Sequence, residues 1–284
     1  MSEADTIDFN NPAPCTITSL TAELRAARLQ AGDIVLVHTS LSKIGWVAGG
    51  PVAVVEALMR VLTPQGTLMM PTHTGDNSDP AFWVNPPVPE AWWQAIRDES
   101  PAYDPATTPT RGMGAVVEAF RKYPGVIRSE HPVVSFAAWG KHAAELTVNH
   151  ALTADLGEGS PLSRLYDRDG YVMLIGVDHG NNTSLHLAEY RADFPWARRD
   201  VQGCVMKVDG ERRWVEYPRL EISDHDFATL GADYERTIRY APAKLGSADL
   251  RLLRQRPLVD YAVRWLRANR TPPQIPPDDL PDNG

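Results

Sequence analysis

Cysteine is scarce in this chain, because its 284 residues contain only Cys15 and Cys204. Two cysteines do not form a disulfide framework, and no CxxC or Cys/His spacing indicates a zinc site. The sequence contains no run of about 18 apolar residues, so it predicts no membrane-spanning helix and no membrane partner. Its first residues lack the basic and apolar regions of a secretory signal. We therefore expect a cytoplasmic protein.

Positively charged residues are also fewer than negatively charged ones. The chain has 28 Lys and Arg against 36 Asp and Glu, which gives a formal net charge of -8. This balance argues against a nucleic-acid partner and is compatible with a cationic small molecule as substrate. Several catalytic signatures are missing as well, namely the Walker loop, GxGxxG, HExxH, HxH and GxSxG. The 43% hydrophobic content is nevertheless sufficient for a full core.

Helical and strand-like patterns alternate along much of the chain. The apolar spacing predicts helices over 18–31, 51–62 and 114–122, a helix from Thr183 onward, and a last helix around 258–266. Apolar runs predict strands over 33–38, 67–72, 133–139 and 171–177, with a further helix between the last two. Such alternation is typical of an α/β protein in which helices flank a central β-sheet.

Two segments depart from this alternation. Residues 75–110 are rich in Pro, Asp and Trp and show no sustained periodicity, which indicates a long excursion that is either functional or simply a surface loop. Asp209-Gly210 lies between two apolar runs and predicts an antiparallel hairpin. We therefore predict a single α/β domain over 16–270, with a flexible N-terminus at 1–15 and a disordered tail at 271–284.

The strongest candidate for catalysis is the segment 181–189, which follows the apolar run ending at Val177. Ligands of α/β proteins usually bind where strands end. If Thr183 onward is helical, His186 and Glu189 lie on one face, and the carboxylate can orient the imidazole as a general base. A surface ion pair at a helix N-terminus explains the same spacing.

A second candidate is His38–Gly50, whose small residues leave backbone amides free to approach a phosphate or a pantetheine arm. A plain strand-to-helix turn also explains it. His73 and His131 each lie beside an apolar run, where structural histidines are common. The segment 157–162 is typical of a tight turn that presents Glu158. A metal site built from His38, His73, His131 and His186 is conceivable, but no metal-binding motif supports it.

Taken in order, five segments resemble the aminoglycoside 3-N-acetyltransferase family, and the resemblance spans most of the chain. They are HTSLSKIGWVAGG at 38–50, GTLMMPTHT at 66–74, SEHPVVSFAAWG at 129–140, GEGSPLSRLYDRDGYVMLIGV at 157–177 and NTSLHLAE at 182–189. Each motif is weak alone, whereas their order and spacing together are highly specific.

The resemblance implies an acyltransferase that uses acetyl-CoA, needs no metal, and acetylates the 3-amine of a 2-deoxystreptamine antibiotic, a reaction that confers antibiotic resistance. It matches His186 to the family's catalytic histidine and Glu189 to the acidic residue that follows it. It places on the donor side Ser40, Leu41, Ser42, Lys43, Gly45, Trp46, Val47, Thr72, His73, Thr110, Met113 and Gly114. Asp76, Glu158 and Asp178 lie near matching motifs and are candidates for binding the cationic acceptor.

Three other functions stay open at this stage. The first is an acetyltransferase of the same family that acts on a non-antibiotic amine, since the donor side and the base would be shared. The second is a metal-dependent hydrolase built on the histidines. The third is a protein that binds a cationic ligand without chemistry.

Overall fold

The computed structural model describes residues 4–7 and 13–271. Its β-strands are β1 (Ile34–Thr39), β2 (Thr67–Pro71), β3 (Ile127–Arg128), β4 (Phe136–Gly140), β5 (Tyr171–Ile175), β6 (Arg199–Val208), β7 (Glu211–Leu220), β8 (Ala243–Leu245) and β9 (Ala248–Arg254). Its α-helices are α1 (Ile17–Ala26), α2 (Leu41–Ile44), α3 (Gly50–Leu62), α4 (Trp93–Glu99), α5 (Ala115–Phe120), α6 (Ala143–Thr147), α7 (Pro161–Asp167), α8 (Ser184–Ala192), α9 (Phe227–Thr237) and α10 (Gln255–Asn269).

A mixed sheet of seven strands has the order β3-β4-β2-β1-β5-β9-β8. The central strand β1 pairs in parallel with β2 on one side and with β5 on the other. All the outer pairings are antiparallel. The strands β6 and β7 form a separate two-stranded hairpin. The predicted class, a central sheet flanked by helices with an added hairpin, is confirmed.

Both faces of the central strands are buried, because successive side chains alternate between two hydrophobic clusters. Val35 and Val37 belong to the cluster that contains residues of α1, α3 and α5. Leu36 belongs to the opposite cluster, with residues of α7, α8, α9 and α10. The continuous apolar runs in the sequence therefore correspond to strands between two helical layers.

The course of the chain places three loops at one edge of the sheet. Helix α3 connects β1 to β2 in the first layer, whereas α6 and α7 connect β4 to β5 in the second. Strand β1 therefore has a parallel neighbour on each side, with the connecting helices on opposite faces of the sheet. The loops after β1, β2 and β5 leave from the same edge, where α/β proteins usually bind ligands.

Local contacts explain where the observed elements differ from the predicted ones. The predicted strand over 133–139 begins only at Phe136, since Nδ1 of His131 accepts the backbone N–H groups of Val133 and Val134, each at 3.1 Å. The helix predicted over 18–31 ends at Ala26, and Arg28 has a φ of 72°. The hairpin strands are ten residues each, joined by Asp209 and Gly210 with φ values of 53° and 81°.

Other elements were not predicted. The 75–110 excursion contains α4 and three short 3-10 helices, at Gly75–Asn77, Pro80–Phe82 and Glu90–Trp92. Two helices, α6 and α7, occupy the region where one was expected. Helix α9 and the strands β3, β8 and β9 have no counterpart in the sequence prediction. All of these elements are short or weakly periodic except α9 and β9.

The predicted chain ends fall largely outside the described residues. Residues 1–3 and 8–12 of the expected flexible N-terminus, and 272–284 of the expected disordered tail, are not described. Within the N-terminal region, Cys15 forms a parallel bridge with Val47. Across 4–7 and 13–271, every helix is too short or too polar to span a bilayer.

Two buried histidines lie side by side near β4, with ring centroids 4.7 Å apart. One ring nitrogen of His150 bonds the hydroxyl of Ser129 at 3.0 Å, and the other bonds the carbonyl oxygen of Asp155 at 2.5 Å. Burial lowers the pKa of His131 to about 3 and that of His150 well below its usual value. Both rings are therefore neutral at physiological pH.

These histidines should make the protein less stable in acid. The unfolded chain binds a proton on each histidine near pH 6.5, whereas the folded chain does so on His131 only near pH 3. The free energy of unfolding must therefore fall as the pH drops through this window. We expect His131→Asn, whose amide oxygen can still accept the Val133 and Val134 N–H groups, to reduce the slope by about 1.4 kcal/mol per pH unit.

The slope is measured by urea unfolding at several pH values between about 4.5 and 5.5, where an unfolded histidine is almost fully protonated. The matched control is His225→Asn, at a side chain that is 66% exposed, and it should keep the original slope. An unchanged slope in His131→Asn would refute the assignment of this proton uptake to His131.

Candidate active site

His186 and Glu189 form a hydrogen-bonded pair on α8, in the second helical layer. Their spacing of three residues places both side chains on one helix face, and 2.5 Å separates Nδ1 of His186 from Oε2 of Glu189. The Glu189 side chain is 1% exposed and that of His186 is 16% exposed. The bond to Glu189 leaves Nε2 of His186 available, since no described residue bonds it. The predicted pairing is therefore present, at a largely buried position.

The carboxylate of Glu189 is held from two further directions. Its Oε1 accepts the backbone N–H of Ser223 at 2.8 Å and a hydrogen bond from the guanidinium of Arg270. The ring of Phe227 packs against His186, with centroids 4.9 Å apart. A simple surface ion pair is mobile and exposed, whereas the carboxylate of this pair is buried and bonded to His186, Ser223 and Arg270.

Two more histidines belong to the same edge of the sheet. His38 is in β1 and His73 follows β2, and the buried Nε2 of each has no hydrogen-bond partner among the described residues. Burial lowers the pKa of both to about 3, and the positive charge that His186 can carry adds to this effect. These rings stay neutral when His186 gains a proton. They are uncharged neighbours of the pair and do not compete with it for protons.

Charged side chains line an open cavity of about 530 Å³ at the ends of β1 and β5. Ser40 and Lys43 contribute from the loop after β1, and Asp178 from the loop after β5. The antiparallel strands β8 and β9 and their turn add Lys244, Ser247, Ala248, Asp249 and Arg251. The structure therefore brings together two predicted donor-side residues with Asp178, which was predicted on the acceptor side.

Gly176 brings the two loops of this cavity together. It has a φ of 65°, and an added Cβ would lie 2.5 Å from the Cβ of Lys43. Its N–H donates to the carbonyl oxygen of Asp249 at 2.9 Å, and the N–H of Ser40 donates to that of Ile175 at 2.9 Å. Only a residue without a side chain permits this approach of α2 to the end of β5.

The remaining donor-side candidates lie in varied surroundings. Leu41 and Ser42 are in α2, Gly45 follows it, Trp46 is exposed, and Val47 is buried in the first hydrophobic cluster. The Thr72 hydroxyl is buried and bonded to Ser135 and Arg128. Thr110 donates to Glu118, Met113 packs on the first cluster, and Gly114 precedes α5 with a φ of 84°.

The three acidic candidates already have partners. Asp76 pairs with Arg111 at 2.6 Å, and Glu158 pairs with Arg191 at 2.7 Å. Asp178 accepts the N–H of Gly180 at 2.9 Å. Unlike His186 and Glu189, these carboxylates are not joined to one another by any described contact.

The sequence reasoning missed several residues of the site. Lys244, Asp249 and Arg251 lie in β8 and β9, whose turn contains Gly246-Ser247, a dipeptide typical of hairpins. Ser223, Asp226 and Arg270 had no recognisable signal, because they reach Glu189 only through tertiary contacts. Within 4–7 and 13–271, no three His, Cys, Asp or Glu side chains are grouped so that they can hold a metal ion.

Comparison with protein families and curated proteins gives a consistent result. The family model described as aminoglycoside 3-N-acetyltransferase matches residues 36–267. An SPbeta prophage-derived aminoglycoside N(3')-acetyltransferase-like protein, YokD, from Bacillus subtilis (strain 168) is 47% identical, over 90% of this chain and 94% of its own. Aminoglycoside N(3)-acetyltransferase VII of Streptomyces paromomycinus is 36% identical, over 89% and 92%.

Solved structures share the fold. YokD from Bacillus subtilis has a TM-score of 0.88 at 46% identity, covering 92% of this chain and 96% of its own. AAC-IIIb in a binary complex with CoASH has a TM-score of 0.81 at 28% identity, with 93% and 100% coverage. AAC-VIa bound to sisomicin has a TM-score of 0.80 at 29% identity, with 90% and 98% coverage.

The fold, the His186–Glu189 pair on α8 and these matches over most of the chain agree with the resemblance seen in the motifs. The protein therefore belongs to the aminoglycoside 3-N-acetyltransferase family, whose members are acyltransferases that use acetyl-CoA as donor.

Proposed function

We propose that this protein transfers the acetyl group of acetyl-CoA to the 3-amine of a 2-deoxystreptamine aminoglycoside, with His186 as general base. The observation that carries the proposal is the 2.5 Å bond between Nδ1 of His186 and the buried Glu189, which directs Nε2 away from the carboxylate. Because acetyl-CoA is an intracellular metabolite, we expect the reaction to take place in the cytoplasm. We regard residues 16–270 as one catalytic domain.

The chemistry requires a base. A free alkylammonium has a pKa of about 10, so the acceptor amine must lose a proton to attack the thioester at neutral pH. As the amine nitrogen bonds to the carbonyl carbon, its proton passes to Nε2 of His186. The C–S bond then breaks, and the CoA thiolate takes up this proton from Nε2 of His186 as it leaves, so that the base is neutral again. Glu189 stabilises the imidazolium formed in the transition state.

The cavity beside β1 and β5 suits the anionic donor. Its cationic side chains, Lys43, Lys244 and Arg251, can pair with phosphate groups. Two of them already have partners: Lys244 bonds Asp249 at 2.6 Å, and Arg251 bonds Glu235 at 2.6 Å. Lys43 is the exposed cation of this cavity with no described ion pair. We therefore assign the phosphate contact to Lys43.

One observation favours a second candidate for the acceptor. Asp76 and Glu158, two of the three carboxylates expected to attract a polycation, are paired with Arg111 and Arg191. An aminoglycoside must displace these arginines or use other acids. The alternative acceptor is a non-antibiotic small amine with fewer charges, acetylated by the same base and donor.

The test is a thiol-release assay with acetyl-CoA and a panel of acceptors. The panel contains 2-deoxystreptamine aminoglycosides, the same compounds already acetylated at the 3-amine, and simple diamines and polyamines. The proposal predicts thiol release with the free aminoglycosides, no release with the 3-acetylated ones, and a single added acetyl group by mass spectrometry. Turnover restricted to the simple amines would instead establish the alternative.

Removing the base should abolish turnover without removing the donor site. We expect His186→Asn to lower kcat by about 10²- to 10⁴-fold, the usual contribution of a general base, with little change in the KM for acetyl-CoA. Glu189→Gln should lower kcat as well, because a neutral amide no longer stabilises the imidazolium.

The chain offers a matched control for both substitutions. His142 and Glu145 have the same spacing of three residues and the same Nδ1-to-carboxylate bond, at 3.1 Å, but they lie on α6 and its N-cap. His142→Asn and Glu145→Gln should leave kcat unchanged. Near-normal turnover of His186→Asn would remove His186 from the mechanism.

Neutralising Lys43 should weaken donor binding alone. We expect Lys43→Met to raise the KM for acetyl-CoA about fivefold, which corresponds to about 1 kcal/mol for a partly exposed ion pair, and to leave the KM for the acceptor unchanged. High salt should reduce the difference from the unsubstituted protein, because it screens the charge. Lys122→Met, which removes the exposed cation paired with Glu118 on α5, is the control. A rise confined to the acceptor KM would contradict the assignment of this cavity to the donor.

A further inference from the structure

Arg270 lies directly after α10 and makes contacts with two other segments of the chain. Its guanidinium donates to Oε1 of Glu189 on α8. It also donates to both carboxylate oxygens of Asp226, at the start of α9, with 2.8 Å between Nε and Oδ2. A further bond of 2.8 Å joins Nη2 to the carbonyl oxygen of Ser223. Three separate segments are therefore connected through one side chain.

The site around Arg270 is largely closed to water. The side chains of Arg270, Asp226 and Glu189 are 7%, 12% and 1% exposed. Burial opposes the charge on Arg270, but the two carboxylates more than compensate and raise its pKa above the usual value. The ring of Phe227 contacts both Arg270 and His186. Its centroid is 5.8 Å from the guanidinium carbon of Arg270 and 4.9 Å from the centroid of the His186 ring.

The charged side chains of this cluster do not cancel one another completely. Glu189 and Asp226 each carry one negative charge and Arg270 carries one positive charge, so the set has a net charge of about -1 when the carboxyls are ionised. A proton on His186 would bring the total to zero. If Arg270 were paired with Glu189 alone, it would neutralise the carboxylate charge that stabilises the imidazolium of His186. Asp226 prevents this, because it shares the guanidinium with Glu189.

We propose that Arg270 is a positioning residue for the reaction: it fixes the carboxylate of Glu189 against Nδ1 of His186, while Asp226 balances its charge. This inference rests on the proposed role of His186 and Glu189. Each oxygen of Glu189 then has its own task. Oε2 holds the imidazole, and Oε1 is fixed by Arg270 and by the N–H of Ser223. A planar guanidinium suits this role, since it can bond two carboxylates in fixed directions at once.

The test compares kinetic constants of Arg270→Met with those of a matched variant. We expect kcat to fall by roughly 10- to 100-fold, because a catalytic group that is not held in place loses rate steeply with small displacements. The KM values for acetyl-CoA and for the acceptor should stay within about twofold, since the described hydrogen bonds of Arg270 all go to protein groups. Active enzyme is counted by titration of bound CoA, so that loss of folded protein does not mimic loss of kcat.

Arg267→Met is the control for a purely structural effect. Arg267 lies in the last turn of α10, just before Arg270, and also connects this helix to α8, but it donates to the backbone carbonyl oxygens of Ala192 and Arg191, at 2.8 and 3.1 Å. Its loss should lower the melting temperature and leave kcat unchanged. Equal loss of kcat in Arg267→Met and Arg270→Met would overturn the proposal, because the effect would then belong to helix docking.

A double-mutant cycle separates this inference from the proposed function. If Arg270 acts through Glu189, Arg270→Met should reduce kcat in the unsubstituted protein and have almost no further effect in the Glu189→Gln background. Additive losses in the two backgrounds overturn the inference. If Glu189→Gln and His186→Asn keep normal turnover, the proposed function itself fails. If those two variants are impaired while Arg270→Met has normal kcat, only the inference fails.

Two milder variants keep the proposal testable if Arg270→Met does not fold. Arg270→Lys retains the charge without the planar fork, and we expect an intermediate kcat with unchanged KM values. Asp226→Asn leaves Arg270 to face Glu189 alone, and we expect it to lower kcat as well. Normal kcat in both folded variants would overturn the proposal.

Discussion

Everything at the site depends on the burial of three parallel strands on both of their faces. Strands β2, β1 and β5 can pair in this way only if the intervening helices cover opposite sides of the sheet, and that arrangement directs all three C-terminal ends to one edge. Residues from distant parts of the sequence are then assembled without any local signal that joins them. His38, His73 and the segment before α8 share this edge for that reason.

The second constraint is electrostatic. A buried carboxylate is costly unless it is bonded on every side, and Glu189 meets this condition with His186, Ser223 and Arg270. The neighbouring histidines His38 and His73 carry no charge that needs a partner, because burial lowers their pKa and keeps them neutral. Of these three histidines, only His186 has a carboxylate partner among the described residues. This difference supports the role of base that we propose for His186.

The cavity with Lys43, Gly176 and the β8–β9 turn has cationic side chains that suit the anionic donor we propose for it, and a relative of the same fold is known with CoASH. The acidic residues assigned to the acceptor are instead engaged with arginines or with backbone. Asp178 lines the cavity that we propose for the donor. An acceptor with several ammonium groups must therefore displace these partners or bind to other acids.

Sequence by itself determined the α/β class, the β6–β7 hairpin and the adjacency of His186 and Glu189, because each of these follows from a short-range rule. Apolar runs indicate buried strands, Asp-Gly indicates a tight turn, and a spacing of three places two side chains on one helix face. Tertiary structure alone decided the rest. The antiparallel strand β9 pairs with β5, which is distant in the sequence. The bonds of Arg270 with Glu189 and Asp226, and that of Ser223 with Glu189, join residues that lie 34 to 81 positions apart. No periodicity or motif encodes such distances, because they are set by how the helical layers pack on the sheet.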